Sequence, residues 1–410
     1  MRINGICVSG SAFWSKRFGF GRWASAEGNR AAKQERKIAG RFGCGVKGIS
    51  DGRLLILLLA IPTWLATQET PRPQLQPRPA VPAPMPPGGT DRQIILDVQV
   101  ADRSGAPVRG LRKQDFTLLD DKQSLPIVSF QAVDSVAPAA ADPPLEIILV
   151  VDAVNASFSA VAYGRNALRK FLLQDNGKPP QPMSLVVVTD DGAKVLQESS
   201  RDGKALAAAY HQYETGLRSI NRRQGYYGAW ERFDISLQAL GWLAQYESKR
   251  PGRKLVIWMS PGWPLLTGPD MQLTDHDEGS LFSTIVDNSS ALRQARITLY
   301  SIDPLGLADA ATPQIAYYKE FLKGVRSPSH AVPANLGLQV LAEQSGGRVF
   351  NSSNDLLREA LNCEADAKAF YILSFEARRA ERPDEYHSLA VKVDKPGVNA
   401  RTRAGYYAQP

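Results

Sequence analysis

Oxygen-bearing side chains follow the short apolar runs of this sequence. Carboxylate, amide and hydroxyl oxygens are the ligands that hard cations such as Mg²⁺ require. The first chemistry that the sequence offers is therefore cation binding by the residues after these runs: Asp152 and Asn155, Asp190 and Asp191, Ser260 to Trp263, and Asp303.

Aromatic side chains offer a second chemistry, which is recognition of a protein partner. Tyr226, Tyr227 and Trp230 lie in or beside the Gly-containing loop QGYYGAW, and Trp263 lies in the turn SPGWPLL. Exposed Tyr and Trp side chains can anchor an interface at little conformational cost. The alternative is that they are partly buried packing residues, and the sequence leaves both open.

Enzymatic chemistry finds little support in the sequence. Metalloprotease, P-loop, dinucleotide-binding and nucleophile-elbow motifs are missing, and the four His are scattered without metal-ligand spacing. Cys363 lies on the apolar face of LREALNC and is expected to pack rather than react. We therefore expect no enzyme.

An acidic run forms a separate candidate for Ca²⁺. Asp275, Asp277 and Glu278 lie close together in PDMQLTDHDE. The run lacks the Gly and the ligand spacing of an EF-hand. The alternative is that these acids favour the start of the next helix through its dipole.

The elements that must position these residues are strands alternating with helices. Runs such as LEIILVVD (145–152) and RKLVIWMS (253–260) are apolar throughout, as strands buried on both faces of a parallel sheet must be. Amphipathic stretches separate them. We predict an α/β fold with a doubly wound, mainly parallel sheet, whose ligands bind beyond the carboxyl ends of the strands.

The flanks of this α/β region have the pattern of β structure. We predict a small β domain over 92–135, the α/β domain over 145–365, and C-terminal β strands over 369–408 that pair with or pack beside the N-terminal ones. The fold class is thus an α/β sheet flanked by a small β-rich domain built from N- and C-terminal strands.

The N-terminal 91 residues have the pattern of an export signal and a spacer. Residues 1–53 hold eleven of the 49 basic and three of the 41 acidic residues, so that residues 54–410 are formally neutral and offer no footprint for nucleic acid. The run LLILLLAIPTWLA (54–66) follows Arg53 as a secretory signal would. We predict a leader over 1–66, cleavage near Ala66 and a Pro-rich linker over 67–91. A retained membrane anchor is the alternative, and the membrane is otherwise not a partner. Cleavage would leave Cys363 as the sole cysteine.

These motifs, taken in order, resemble the von Willebrand factor type A domain. The strand ending in Asp152, VVVTD and LVIWMSPG carry the resemblance, and the flanks VADRSGAPVRGLRKQDFTLLDD and VKVDKPGVNARTRAGYYA resemble von Willebrand type A-related proteins of acidobacteria. The resemblance implies an adhesion site that holds Mg²⁺ through an Asp-x-Ser-x-Ser turn, a Thr and a further Asp.

This sequence departs from that ligand set. Val154 and Ala156 stand at the two serine positions, Pro261 stands where the family usually has Asp, and residues 224–230 contain neither Thr nor Ser. We therefore predict a degenerate site in which Asp152 caps the following helix or bonds the adjacent turn.

The sequence favours an exported protein–protein interaction or adhesion module, periplasmic or extracellular, that does not depend on a metal or other cofactor. The alternative is a cation-dependent enzyme or maturation factor that uses Mg²⁺ or Ca²⁺ at the strand ends. The partner is expected to be a protein. The predicted binding residues are Asp152, Asn155, Ser157, Tyr227, Trp230, Ser260 and Trp263.

Overall fold

The computed structural model describes residues 92–134, 145–156, 158–214, 225–266, 273–304, 306 and 313–410. The predicted leader and Pro-rich linker lie outside these residues. Within the part of the chain that is described, none of the helices combines the length and apolarity needed to span a bilayer.

The elements follow one another in three blocks. The N-terminal strands are β1 (Gln93–Asp102), β2 (Phe116–Asp120), β3 (Gln123–Leu125) and β4 (Ser129–Asp134). The central block contains β5 (Glu146–Asp152), α1 (Phe158–Leu172), β6 (Met183–Thr189), β7 (Gly192–Ser200), α2 (Gly203–Glu214), α3 (Gly225–Glu247), β8 (Lys254–Met259), α4 (Asp275–Gln294), β9 (Ile297–Ile302), α5 (Leu338–Gln344), β10 (Val349–Phe350) and α6 (Leu356–Lys368). The C-terminal strands are β11 (Ala369–Glu376), β12 (Glu385–Val393), β13 (Val398–Arg401) and β14 (Gly405–Ala408).

The central sheet has the strand order β10-β9-β8-β5-β6-β7. Its neighbours pair in parallel, except that the edge strand β7 runs antiparallel to β6. This is the doubly wound order, in which the direction of winding reverses between the first and fourth strands of the sheet, here β5 and β8. The predicted fold class is confirmed.

Helices cover both faces of this sheet because successive strand residues point to opposite sides. Ile147, Leu149 and Val151 pack with α1, α2 and α6 on one face. Ile148 and Val150 pack with α3, α4 and α5 on the other. The unbroken apolar runs of the sequence therefore correspond to strands that are buried on both faces.

The N- and C-terminal strands form two antiparallel sheets with the orders β13-β1-β11-β4 and β14-β12-β2-β3. Their inner faces enclose a separate core that includes Leu96, Leu118 and Phe375. The hairpin between β2 and β3 turns at Asp121 and Lys122, both at positive φ, which suits a two-residue connection. We call this pair of sheets the β sandwich.

The β sandwich packs against the amino ends of the parallel strands. Arg296, just before β9, forms a 2.6 Å ion pair with Asp97 of β1. Arg253, just before β8, lies over the ring of Phe370 on β11, 4.4 Å from its centroid. The carboxyl ends of the strands therefore lie at the opposite pole of the central sheet, which we call the strand-end pole.

Candidate functional site

The winding of the sheet places its topological switch point at the carboxyl ends of β5 and β8. The chain leaves β5 for α1 on one face, and after β8 it reaches α4 on the other face. Ligands of doubly wound sheets bind at such switch points. Asp152 ends β5 and Ser260 follows β8, and both are fully buried.

The carboxylate of Asp152 accepts hydrogen bonds from four nitrogen donors. The backbone amides of Val154 and Asn155 both donate to Oδ1 at 2.9 Å. The side-chain amide of Asn155 donates to Oδ2 at 2.9 Å, and the indole of Trp258 donates to the same oxygen at 3.2 Å. A carboxylate has about four acceptor positions, so these bonds occupy both oxygens.

Asn155 links this carboxylate to helix α3. Its side-chain nitrogen also donates to the hydroxyl of Ser236 at 2.8 Å, and that hydroxyl donates to the carbonyl of Arg232. Ser236 is fully buried. The Oδ1 atom of Asn155 is the one polar atom of this group without a hydrogen-bond partner in the described part of the chain.

The side chains at this point do not fit a magnesium ion. Mg²⁺ requires near-octahedral coordination by about six oxygens. Both carboxylate oxygens of Asp152 already accept hydrogen bonds from N–H groups. The hydroxyl of Ser260 accepts a hydrogen bond from the backbone amide of Gly262. Val154 and Ala156 are buried apolar residues and offer no side-chain oxygen. Among the described residues of the Asp152–Asn155–Ser236 group, Asn155 Oδ1 is the oxygen that has no hydrogen-bond partner. Ser157, which was predicted to contribute, lies outside the described residues.

The acidic run at 275–278 acts as the start of a helix. Thr274 is the N-cap of α4, and its hydroxyl accepts a hydrogen bond from the amide of Asp277. The Asp277 carboxylate in turn accepts from the amide and the hydroxyl of Thr274. Asp275, Asp277 and Glu278 all lie in the first turn, where the helix dipole favours negative charge. This geometry agrees with the capping interpretation of the run.

The predicted aromatic loop is the first turn and a half of α3, because the helix begins at Gly225. Tyr226 and Tyr227 are 55% and 63% exposed. Trp230 stacks on Tyr226 with 6.4 Å between ring centroids and is half-buried against the core. The prediction of a loop was wrong, but both tyrosines present large exposed surfaces.

Trp263 does not lie on the surface, so its prediction as an exposed binding residue was wrong. It is 3% exposed and packs edge-on against Trp258, with 5.3 Å between ring centroids. The physical reason is the turn at Gly262, whose φ of 109° is accessible to glycine and leads the chain back over the end of β8. Trp263 is therefore part of the core.

Two residues of this site were missed from the sequence. Trp258 falls inside an apolar strand run and is indistinguishable there from a packing residue. Ser236 lies in the middle of α3, eleven residues beyond its start. Because both act across long sequence separations, no local spacing identifies them.

The acids on the α6 side of the strand-end pole carry an unusual charge state. Burial, together with the nearby carboxylates of Asp303 and Asp355, raises the pKa of Glu359 on α6 to about 7. Asp303 follows β9 and is itself buried. This corner of the pole therefore holds a proton near neutral pH.

A second cluster of possible metal ligands lies in the β sandwich. Asp120, Asp121 and His387 bring their ligand atoms within 4.8 Å of one another. Asp120 accepts the hydroxyl of Tyr406 at 3.0 Å and faces His387 Nδ1 at 3.0 Å. Asp121 forms a 2.9 Å ion pair with Arg326, which belongs to the central block. The Asp121–Arg326 pair joins the β sandwich to the segment before α5, whereas the contacts of Asp120 lie within the sandwich.

Comparisons with solved structures found proteins that are similar to this chain at low sequence identity. The pilus adhesin SpaC from Lactobacillus rhamnosus GG, in an open conformation, is similar over 76% of this chain and 48% of its own, with 11% identity and a TM-score of 0.35. Human COPII-coat protein Sec24c is similar over 66% and 44%, with 10% identity and a TM-score of 0.28. The SpRpn10 VWA domain is covered completely by 45% of this chain, with 15% identity and a TM-score of 0.19.

The chain thus spans less than half the length of the SpaC and Sec24c chains. No protein-family model matches the sequence, and no curated protein matches it.

Proposed function

We propose that this chain is an exported, non-enzymatic module that binds a partner protein at its strand-end pole without a bound divalent cation. The observation that carries the proposal is the pair of exposed tyrosines, Tyr226 and Tyr227, at the start of α3.

The direction of α3 brings these tyrosines to the strand-end pole. The helix ends at Glu247. The backbone carbonyl of Glu247 accepts a hydrogen bond from the ammonium group of Lys254 at the amino end of β8. Its other end therefore points toward the carboxyl ends of the strands. The Asn155 side chain bonds both Asp152 and Ser236, so Ser236 marks the point along α3 that lies beside Asp152. Gly225, where the helix begins, is eleven residues before Ser236. At 1.5 Å per residue the helix extends about 16 Å beyond Asp152.

A projecting pair of tyrosines suits recognition of a protein. Tyr side chains are enriched among the residues that contribute most to interfaces, because they bury a large amphipathic surface with few rotatable bonds. The exposed carboxylate of Glu231 lies one helical turn beyond Tyr227 and adds a polar rim. The alternative, a cation-dependent enzyme or maturation factor, would need free oxygens at Asp152, and those oxygens are occupied.

Export is part of the proposal and rests on the sequence. The basic residues before 54, the apolar run 54–66 and the Pro-rich linker have the order of a signal and a spacer. The mature protein is expected to begin between about Ala66 and Thr70 and to be found outside the cytoplasm. Full-length protein retained in the cytosolic fraction would contradict this part.

The test of binding is capture of exported proteins by the immobilised full chain, followed by titration of the captured partner in EDTA and in millimolar Mg²⁺. We expect equal affinity in both solutions. Changing Tyr226 and Tyr227 together to Ser should weaken binding by about 10- to 100-fold. The matched control is Tyr163→Ser, which removes a 50% exposed tyrosine from α1. Undiminished binding by the double variant, or loss of binding in EDTA, would refute the proposal.

A further inference from the structure

The Asp152 carboxylate is buried without a cationic side chain among its described ion-pair partners, so its negative charge must be stabilised in another way. It is fully buried, and a buried carboxylate is costly unless it is paired or hydrogen-bonded. Among the described ion pairs none involves Asp152 with a Lys or Arg. Its compensation comes from the four nitrogen donors already described.

From this we infer that Trp258, Asn155 and Ser236 together substitute for a cation: their hydrogen bonds hold Asp152, and through it the turn 152–156, in one conformation whatever the divalent-ion concentration. Trp258 and Ser236 are positioning residues in this arrangement. We call Asp152, Asn155, Ser236 and Trp258 together the clamp.

The register of the sheet explains how Trp258 reaches the carboxylate. β5 and β8 pair in parallel, with Val150 opposite Trp258 and Val151 opposite Met259. The Trp258 side chain lies on the face covered by α3, α4 and α5, where the edge of Trp263 packs against it. Trp258 and Trp263 are both buried, and their close packing leaves the Trp258 ring no room to turn. The indole N–H of Trp258 therefore stays directed toward Asp152 Oδ2.

The clamp also ties the turn to the helix that carries the exposed tyrosines. Asn155 bonds Asp152 and Ser236 with the same side-chain nitrogen, and Ser236 is bonded to the backbone of α3. The position of α3 relative to the end of β5 is therefore set by neutral donors of the chain itself. In a cation site the same coupling would depend on the ion.

The inference rests on the cation-free part of the proposed function, and it is tested on the full chain without any partner, so that its failure can be told apart from a failure of partner binding. Calorimetric titration with MgCl₂ and with MnCl₂ should show no binding at millimolar concentrations, and the melting temperature should be the same in EDTA and in 5 mM Mg²⁺. A rise of the melting temperature with Mg²⁺ that Asp152→Asn abolishes would overturn the inference.

Two variants distinguish the clamp from an empty ion site. Asp152→Asn places an amide donor against the existing donors, and Trp258→Phe removes one donor while it keeps an aromatic ring. Both should lower the melting temperature by about 2–12 °C in EDTA, since losing a buried bond to a charged group costs about 1–3 kcal/mol and each kcal/mol shifts this temperature by about 2–4 °C. In an empty ion site, Asp152→Asn would leave the melting temperature in EDTA unchanged or raise it.

A matched control separates the hydrogen bond from general loss of an indole. Trp242→Phe removes an indole from α3 that stacks on Tyr246, with 5.3 Å between centroids, outside the clamp. It should change the melting temperature by less than Trp258→Phe does. If a variant fails to fold, the indole resonances of the ¹⁵N-tryptophan-labelled wild type remain informative: the N–H of Trp258 should exchange slowly and should not shift on adding Mg²⁺. A shift would overturn the inference.

Discussion

Glu247, near the amino ends of the parallel strands, should make the stability of the protein fall as pH rises. This side chain is 1% exposed at the end of α3, and its Oε2 atom has no hydrogen-bond partner among the described residues. Burial, with a further contribution from the charge of Glu146, raises its pKa to about 7. The perturbation that tests this is Glu247→Gln, which keeps the shape and removes the titration.

The sign and size follow from proton linkage. The pKa of Glu247 in the folded state lies above its ordinary value of 4.5, so folding takes up a proton at pH values between the two. The contribution of Glu247 to stability is therefore greatest below about pH 4.5 and is lost as pH rises through 7. The free-energy advantage of Glu247→Gln over the wild type should grow by at most about 2–3 kcal/mol between pH 5 and pH 8.

Urea denaturation of both proteins at pH 5 and pH 8 measures this difference. The matched control is Glu198→Gln. Glu198 lies at the surface. Its partial burial raises its pKa, but hydrogen bonds from Arg250 and Tyr246 lower the pKa by more, so that the net shift is downward. Its titration therefore lies below this range, and its effect should be the same at both pH values. An advantage of Glu247→Gln that does not change with pH would refute the reasoning.

Three further substitutions test the packing described above. Trp263→Ala should lower the free energy of unfolding by about 3–5 kcal/mol, measured by urea denaturation, because it empties a core position; unchanged stability would contradict its burial. Asp97→Ala should cost about 3–5 kcal/mol by leaving Arg296 buried without its partner, whereas Arg109→Ala, in the exposed pair with Asp134, should cost at most about 1 kcal/mol. Gly262→Ala should lower the free energy of unfolding by at least about 1 kcal/mol in the same assay, because the φ of Gly262 is 109° and a Cβ there would overlap the side-chain amide of Gln339. The control is Gly241→Ala on α3, where a Cβ would meet open space, and it should be neutral or stabilising.

The alternation of apolar runs with amphipathic stretches was sufficient to predict the central sheet. Strands buried on both faces need continuous apolar residues, and such runs are visible without any knowledge of the fold. The edge strand β7 was missed because its residues, GAKVLQESS, are half-buried and largely polar. The first residues of α3 were predicted as the loop QGYYGAW because Gly225 and Gly228 are poor helix formers.

The site was less predictable because its contacts join distant parts of the chain. The resemblance to the von Willebrand factor type A domain drew attention to Val154, Ala156 and Pro261 and predicted a site with few ligands. The hydrogen bond from Trp258 to Asp152 could not be predicted, since 106 residues separate the two in the sequence. The burial of Trp263 likewise depends on the path of one turn, which sequence patterns do not specify.

The register of β1 determines how the protein would carry a mechanical load. Gln93 pairs with Glu376 at the far end of β11, while Val98 pairs with Tyr371 near the junction with α6. The chain therefore enters the β sandwich at the end away from the central sheet. A pull on Arg92 against a partner held at the strand-end pole would run along β1. It would load the hydrogen bonds to β11 and β13 in shear, many at once, rather than open them one after another.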